Sequence, residues 1–124
     1  MSIKRFQDLQ VYQLSEKLAD EIWKIVTKWD YLKQDTVGKQ LIRSADSIGA
    51  NIAEGVGRGT YQQNRYFVRI ARGSLLETQH WLRRAYCRNL LTVEEVKIIK
   101  PIIDELAPKL NAYLKSIGNF PNDK

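Results

Sequence analysis

Apolar residues recur every three or four positions along most of the chain, which is the spacing of one face of an α-helix. A first stripe of such residues predicts a helix over residues 8–28: Val11, Leu14, Leu18, Ile22, Ile25 and Trp29. A second stripe on the same helix makes its apolar face broader than one neighbouring helix usually covers, which suggests contact with a partner chain. Its members are Tyr12, Ala19, Trp23 and Val26.

A second helix is predicted over residues 36–55. The segment "WDYLKQD" before it is polar enough to turn the chain, and Asp35 or Thr36 can accept a hydrogen bond from the free amides of a new helix. We expect this helix to end at Gly55, because glycine suits the left-handed residue that ends many helices. Gly57 and Gly59 then form a flexible connector.

The third helix, over residues 61–88, is the longest, and a fourth is predicted over residues 92–117. The fourth begins at a capping box made by Thr92 and Glu95. It contains Pro101 and Pro108, and each proline removes a backbone N–H, so we expect a kink or a local break. The tail, residues 118–124, is expected to be loose.

No segment shows the alternation of a β-strand, and the connections between the four helices are short. The pattern therefore predicts one domain over residues 1–124. Its expected fold is all-α, an antiparallel up-and-down four-helix bundle.

The second helix also carries a polar stripe, spaced four, three, four and three residues apart, beside its apolar one. This stripe consists of Gln40, Ser44, Ser47, Asn51 and Glu54. Small and amide side chains in this position let another helix approach closely and fix its register by hydrogen bonds. Catalysis by the Glu54 carboxylate is the alternative, but it needs a second titratable group that the sequence does not reveal. We favour the structural interpretation.

The distribution of charged residues indicates a candidate binding surface. The chain carries 20 Lys and Arg against 14 Asp and Glu, a net charge of +6, which favours polyanionic partners. The third helix alone accounts for +5, because it holds six arginines and a single acid, Glu77. The arginines are Arg65, Arg69, Arg72, Arg83, Arg84 and Arg88.

Like charges at this spacing repel one another, so a neutralising partner is expected. Acids from another helix or chain could serve, and so could nucleic-acid phosphates. We favour nucleic acid, with Arg58 as a further contact. Tyr61, Tyr66 and Tyr86 could offer stacking surfaces for bases, although aromatic residues at helical spacing are more often core or interface.

Other chemistries find little support. The one histidine, His80, has no nucleophile in its own helical turn. One histidine and one cysteine, Cys87, are too few ligands for a structural zinc site. The segment "EGVGRG" follows a helix and does not match a phosphate-binding loop. We therefore expect no cofactor, no metal and no enzymatic activity. Cys87 cannot form an internal disulfide, and no membrane-spanning or signal-type segment stands out, so a reducing, cytoplasmic location is expected.

Three stretches carry a family resemblance: "FQDLQVYQ" near the N-terminus, "QLIRSADSIGANIAEGVGR" and "FVRIARGSLLE". Together they resemble the 23S rRNA intervening-sequence proteins of bacteria, also called S23 ribosomal proteins. The chain departs from the family pattern in three places. Arg43-Ser44 replaces a usual double arginine, Gly49 replaces a frequent proline, and the two prolines of the fourth helix are atypical.

The resemblance implies a four-helix bundle that assembles into a homopentamer. It also implies likeness to the accessory variability proteins of diversity-generating retroelements, basic bundles that bind nucleic acid and a reverse transcriptase. Two hypotheses follow: an oligomeric nucleic-acid-binding protein, and a protein–protein adaptor whose basic stripe meets an acidic protein surface, for example as an accessory subunit of a reverse transcriptase.

Overall fold

Four helices follow one another in the computed structural model, which describes residues 5–118. Helix α1 is Gln10–Val26 and follows a 3-10 turn, Phe6–Asp8. Helix α2 consists of three consecutive segments: Tyr31–Lys33, a π-helical stretch Gln34–Gly38, and Lys39–Val56. Helix α3 is Tyr61–Cys87 and helix α4 is Val93–Ser116. The described residues contain no β-strand.

Consecutive helices pack side by side in opposite directions. Ser44 and Ser47 of α2, for example, are hydrogen-bonded to Thr78 and Ser74 of α3 respectively, so one helix runs down as the other runs up. The closest backbone packing is between α2 and α3, and α1 lies diagonally across the bundle from α3. The predicted antiparallel up-and-down four-helix bundle is thus confirmed.

Local capping explains why α3 and α4 lie within one residue of their predicted bounds. The Thr60 hydroxyl accepts a hydrogen bond from the Gln63 N–H at 3.1 Å. Helix α3 ends at Cys87, two residues before Asn89, whose φ of 61° is left-handed. At the start of α4, Thr92 and Glu95 each accept from the other's backbone N–H, as a capping box requires. The predicted loose tail lies, from residue 119 onward, outside the described residues.

Helix α2 begins five residues earlier than predicted. The cap is Asp30, whose carboxylate accepts from the Lys33 N–H at 3.2 Å, and not Asp35 or Thr36. Both of those residues lie in the π-helical stretch, where the Thr36 hydroxyl donates to the Leu32 carbonyl. The Gln34 side chain donates to the Val26 and Thr27 carbonyls at the end of α1, which holds the turn between α1 and α2 closed.

Gly55 does not end α2, contrary to the prediction. The helix continues to Val56, and Gly57, which follows it, has a right-handed φ of −78°. Gly55 is buried where α2 meets α3: a Cβ added to it would collide with Asn64 Oδ1 and lie 3.1 Å from the Asn64 carbonyl oxygen. The missing side chain therefore serves close helix packing.

The prolines of α4 do not break it, so of the kink or local break expected from the sequence, the break does not occur. The helix runs without interruption through Pro101 and Pro108. Each proline deprives the carbonyl four residues earlier of its N–H partner, and these carbonyls belong to Lys97 and Asp104. Both residues are exposed, as are the two prolines, so water can satisfy the freed carbonyl oxygens.

The core lies on the central axis of the bundle and is built mainly from branched aliphatic side chains. Those that are essentially inaccessible to solvent include Leu18, Ile22, Leu41, Ile48, Ile52, Val68, Leu106 and Leu110. The second stripe of α1 is largely covered within the chain, since Tyr12 packs against Gly49 of α2, although Trp23 stays 56% exposed. Within residues 5–118, no helix is long and apolar enough to cross a membrane.

Candidate nucleic-acid interface

The polar stripe of α2 joins this helix to α3 through side-chain hydrogen bonds. Thr78 of α3 donates to the Ser44 hydroxyl at 3.0 Å, and the Ser47 and Ser74 hydroxyls are 2.9 Å apart. Asn51 donates to the Ser47 carbonyl and hydroxyl oxygens. The small side chains let the two helices approach closely, and the hydrogen bonds fix their register.

The two ends of the polar stripe behave differently from its middle. Gln40 is half-buried, and Glu54 is exposed, with its carboxylate 3.0 Å from the Arg58 guanidinium. Arg58 also lies over the Phe67 ring, with its Cζ atom 4.7 Å from the ring centroid. Arg58 is therefore already paired with an acid, unlike the arginines of α3.

Six arginines lie along α3 and directly after its end: Arg65, Arg69, Arg72, Arg83, Arg84 and Arg88. The helical repeat places Arg65, Arg69, Arg72 and Arg83 on one side of α3, and we call these four the basic face. Arg65 donates to the Ile117 carbonyl at 2.6 Å, and Arg72 lies 3.4 Å from Asn111 Oδ1, so both reach across to the end of α4. Arg69, Arg83 and Arg88 are exposed, and Arg84 is half-buried.

No carboxylate of residues 5–118 forms an ion pair with the basic face. The ion pairs of this part of the chain join residues three or four positions apart. On α4, the helix best placed to neutralise α3, Asp104 pairs with Lys100 at 2.8 Å and Glu105 with Lys109 at 2.6 Å. The acid of α3 itself, Glu77, accepts from the Trp81 indole N–H at 3.3 Å. The oxygens that Arg65 and Arg72 contact are uncharged, so the positive charge of α3 is not offset within the described chain.

An acidic groove of about 380 Å³ lies on another side of the bundle, between α1 and α2. Glu16 and Asp20 of α1 line it together with Asp46 and Gly49 of α2. Burial, and secondarily the charge of Asp20, raises the pKa of the Asp46 carboxyl. Burial also raises the pKa of the Tyr12 hydroxyl, with a further contribution from the neighbouring Glu16 carboxylate. Three acids are thus collected in a groove away from the arginines of α3.

The residues considered for catalysis or metal binding lie apart from one another. His80 is exposed, with its ring 4.8 Å from the Trp81 ring, and Cys87 is an exposed free thiol. In the part of the chain that the structure describes, no group of three or more His, Cys, Asp or Glu side chains could hold a metal ion.

Sequence reasoning located the arginines but missed two grooves. The acidic groove forms because Glu16 and Asp20, spaced for one face of α1, meet Asp46 across the α1–α2 contact. The spacing of the two α1 acids was visible in the sequence. Their proximity to Asp46 follows from how the helices pack, which periodicity does not specify. The second groove, between α3 and α4, was missed for the same reason.

The described fold and surface define a class, a small helical bundle with an unneutralised arginine-rich face. Comparison with known proteins makes this assignment specific. A family model described as "23S rRNA-intervening sequence protein" matches residues 7–112, and the chain belongs to that family. The resemblance noted in the sequence is thereby confirmed.

A solved structure shows the same fold. It is the crystal structure of a protein of unknown function from the S23 ribosomal protein family of Bacteroides thetaiotaomicron. That protein is 24% identical in sequence; the match covers 86% of this chain and 99% of the other, with a TM-score of 0.75. A search of curated proteins found no match.

Proposed function

We propose that this protein is a non-enzymatic, cytoplasmic nucleic-acid-binding protein that holds phosphate groups with the arginines of its basic face. One observation carries the proposal: six arginines lie along α3 and directly after it, and no carboxylate of the described residues pairs with them. A duplex carries one negative charge per roughly 1.7 Å of its axis, so it can neutralise such a row of charges along its whole length.

The residue type supports the same partner. All the basic residues of α3 are arginines, whose planar guanidinium groups bind phosphate through two parallel hydrogen bonds. The name of the family refers to intervening sequences of 23S rRNA, which supports RNA as the polyanion. Arg58 is a weaker contributor, because its ion pair with Glu54 has to break before it can bind a phosphate.

A second candidate function, a protein–protein adaptor, is favoured by the acidic groove between α1 and α2. A groove lined by Glu16, Asp20 and Asp46 is complementary in charge to the basic face of another copy of the chain. Contact between two different patches generates a ring when its rotation closes, which accords with the homopentamer that the family resemblance implies. A reverse transcriptase with an acidic surface is a further partner of this kind.

Light scattering of the purified protein, with and without RNA, tests the proposal. We expect an oligomer of about five times the 14.4 kDa monomer mass, which gains mass when a single-stranded RNA is added at about 50 mM salt. The gain is expected to disappear at high salt, because phosphate contacts are screened.

A charge-reversed variant, Arg69→Glu, separates the two candidate functions. If the basic face binds RNA, the variant keeps the oligomer mass and loses the mass gain with RNA. If the basic face instead binds the acidic groove of a neighbour, the variant dissociates. A wild-type oligomer whose mass does not change with RNA at low salt would contradict nucleic-acid binding.

A further inference from the structure

The groove between α3 and α4 is a mostly apolar cavity with a volume of about 480 Å³. It opens beside the C-terminal half of α3. Over their whole length, α3 and α4 pack less closely than α2 and α3 do. At the opposite end, Arg65 and Arg72 of α3 bridge to Ile117 and Asn111, which holds the helices together there. The groove therefore lies, open to solvent, at the end of the α3–α4 pair that these two arginines do not bridge.

The floor of this groove is apolar and its rim is polar. Buried or half-buried aliphatic side chains form the floor: Leu82, Leu91, Ile99 and Ile103. Tyr86 and Arg83 of α3 stand on the rim, and the Tyr86 side chain is 58% exposed. On the same wall, Gln79 provides an amide with both a donor and an acceptor. A mostly apolar cavity with a few convergent polar groups is typical of a ligand-binding site.

We propose that this groove holds an unpaired base of a single-stranded nucleic acid, stacked on Tyr86, with an adjoining phosphate on Arg83. This inference rests on the proposed function, because the basic face supplies the attraction for the strand. Bases inside a duplex are stacked on one another and present only their edges, whereas an unpaired base presents a free face to an aromatic ring. The Gln79 amide is placed on the groove wall, where it can pair with the edge of such a base.

The charges around the groove favour this occupant over an acidic or a neutral peptide. Asp104 is the acid on the rim, and it forms an ion pair with Lys100 at 2.8 Å. Arg83 therefore has no acidic partner among the residues that line the groove. Arg83 lines the groove and also belongs to the basic face, whose other members extend back along α3 to Arg65. A strand that lies along the face therefore brings its bases to the mouth of the groove.

Exposed tyrosines occur at both ends of α3. Tyr61 is 50% exposed near its start and Tyr66 is 58% exposed next to Arg65, so each offers a further stacking surface. From Arg65 to Arg83 the helix rises about 27 Å, which corresponds to roughly eight phosphates of a stacked strand. A strand of this length can contact both the arginines and the groove.

Fluorescence anisotropy with a fluorescein-labelled RNA of mixed sequence, about 12 nucleotides long, tests the inference. The strand is used alone and annealed to its complement. We expect the wild-type protein to bind the single strand more tightly than the duplex. Tyr86→Leu should weaken single-strand binding at least about fivefold and leave duplex binding unchanged. Tyr86→Phe, which keeps the ring, should restore the affinity.

The matched control is Tyr31→Leu, which removes a tyrosine that is 77% exposed at the start of α2 and does not line the groove. It should leave both affinities unchanged. Because stacking is not ionic, Tyr86→Leu should also keep the salt dependence of the wild type. Thermal unfolding and light scattering of each variant verify that the fold and the oligomer are retained.

Three outcomes would overturn the inference. Equal binding of the single strand and the duplex, unaffected by Tyr86→Leu, would leave the proposed function intact and remove the base site. A lower oligomer mass in Tyr86→Leu would identify the groove as a contact with another copy of the chain. Absence of wild-type binding to either RNA at low salt would instead refute the proposed function itself.

Discussion

Replacing Arg65, Arg69 and Arg72 together by alanine is expected to weaken RNA binding roughly 100-fold at low salt. Each of these arginines contributes a charged contact of about 1 kcal/mol or more to a phosphate, and together these contacts amount to about two orders of magnitude in affinity. Arg69 is exposed, and the other two contact only uncharged oxygens of α4, so all three guanidinium groups can bind phosphate in addition. Fluorescence anisotropy with a labelled RNA measures the loss.

The control variant removes the same charge from the far side of the bundle, by replacing Lys17, Lys24 and Lys28 with alanine. Lys17 and Lys24 lie on α1 and Lys28 just after it, and α1 is diagonally opposite α3. A general effect of net charge would weaken binding equally in both variants, and that result would count against a defined interface on α3. Thermal unfolding has to accompany the measurement, because Arg65 also holds the Ile117 carbonyl.

Replacing Gly55 by valine is expected to lower the free energy of unfolding by about 2–3 kcal/mol. The first added carbon collides with Asn64 Oδ1 and lies 3.1 Å from the Asn64 carbonyl oxygen and 3.4 Å from Phe67 Cβ. The backbone of α3 cannot move away without separating Ser47 from Ser74, which are hydrogen-bonded at 2.9 Å. Urea denaturation, followed by circular dichroism, gives the change in stability.

Gly73→Val is the matched control, because an added Cβ at Gly73 has no neighbour within 4 Å. Gly73 lies in the middle of α3 and is exposed, so the substitution should be neutral or stabilise by a few tenths of a kcal/mol through helix propensity. Equal stability of the two variants would show that Gly55 is not a packing residue. A loss of stability confined to Gly55→Val distinguishes helix packing from the helix-ending role that the sequence suggested.

Helices α3 and α4 could be predicted closely because their signals are local. Thr60 stands directly before the long apolar stripe of α3, and Thr92 and Glu95 satisfy each other's backbone within one turn. The start of α2 could not be predicted as well. The π-helical stretch accompanies hydrogen bonds from Gln34 to the end of α1, and these depend on tertiary packing. Gly55 illustrates a different difficulty, since the same residue suits a helix end and a close helix contact.

The charge of the candidate site could be predicted from the sequence, whereas the shape of the site could not. The sequence alone locates six arginines between positions 65 and 88, and their helical spacing places several on one face of α3. Whether acids of α4 neutralise them depends on geometry, and the structure shows that Asp104 and Glu105 pair with lysines of their own helix. The cavity beside Tyr86 arises from the spacing between α3 and α4, which no pattern within one helix encodes.

The salt dependence of the wild-type affinity for RNA is the most direct test of nucleic-acid binding by the basic face. If the arginines bind four or more phosphates, the logarithm of the binding constant should fall against the logarithm of salt concentration with a slope of about −3 or steeper. Loss of Arg65, Arg69 and Arg72 should make that slope less steep by about 2. A flat dependence, or no binding at about 50 mM salt, would contradict the account.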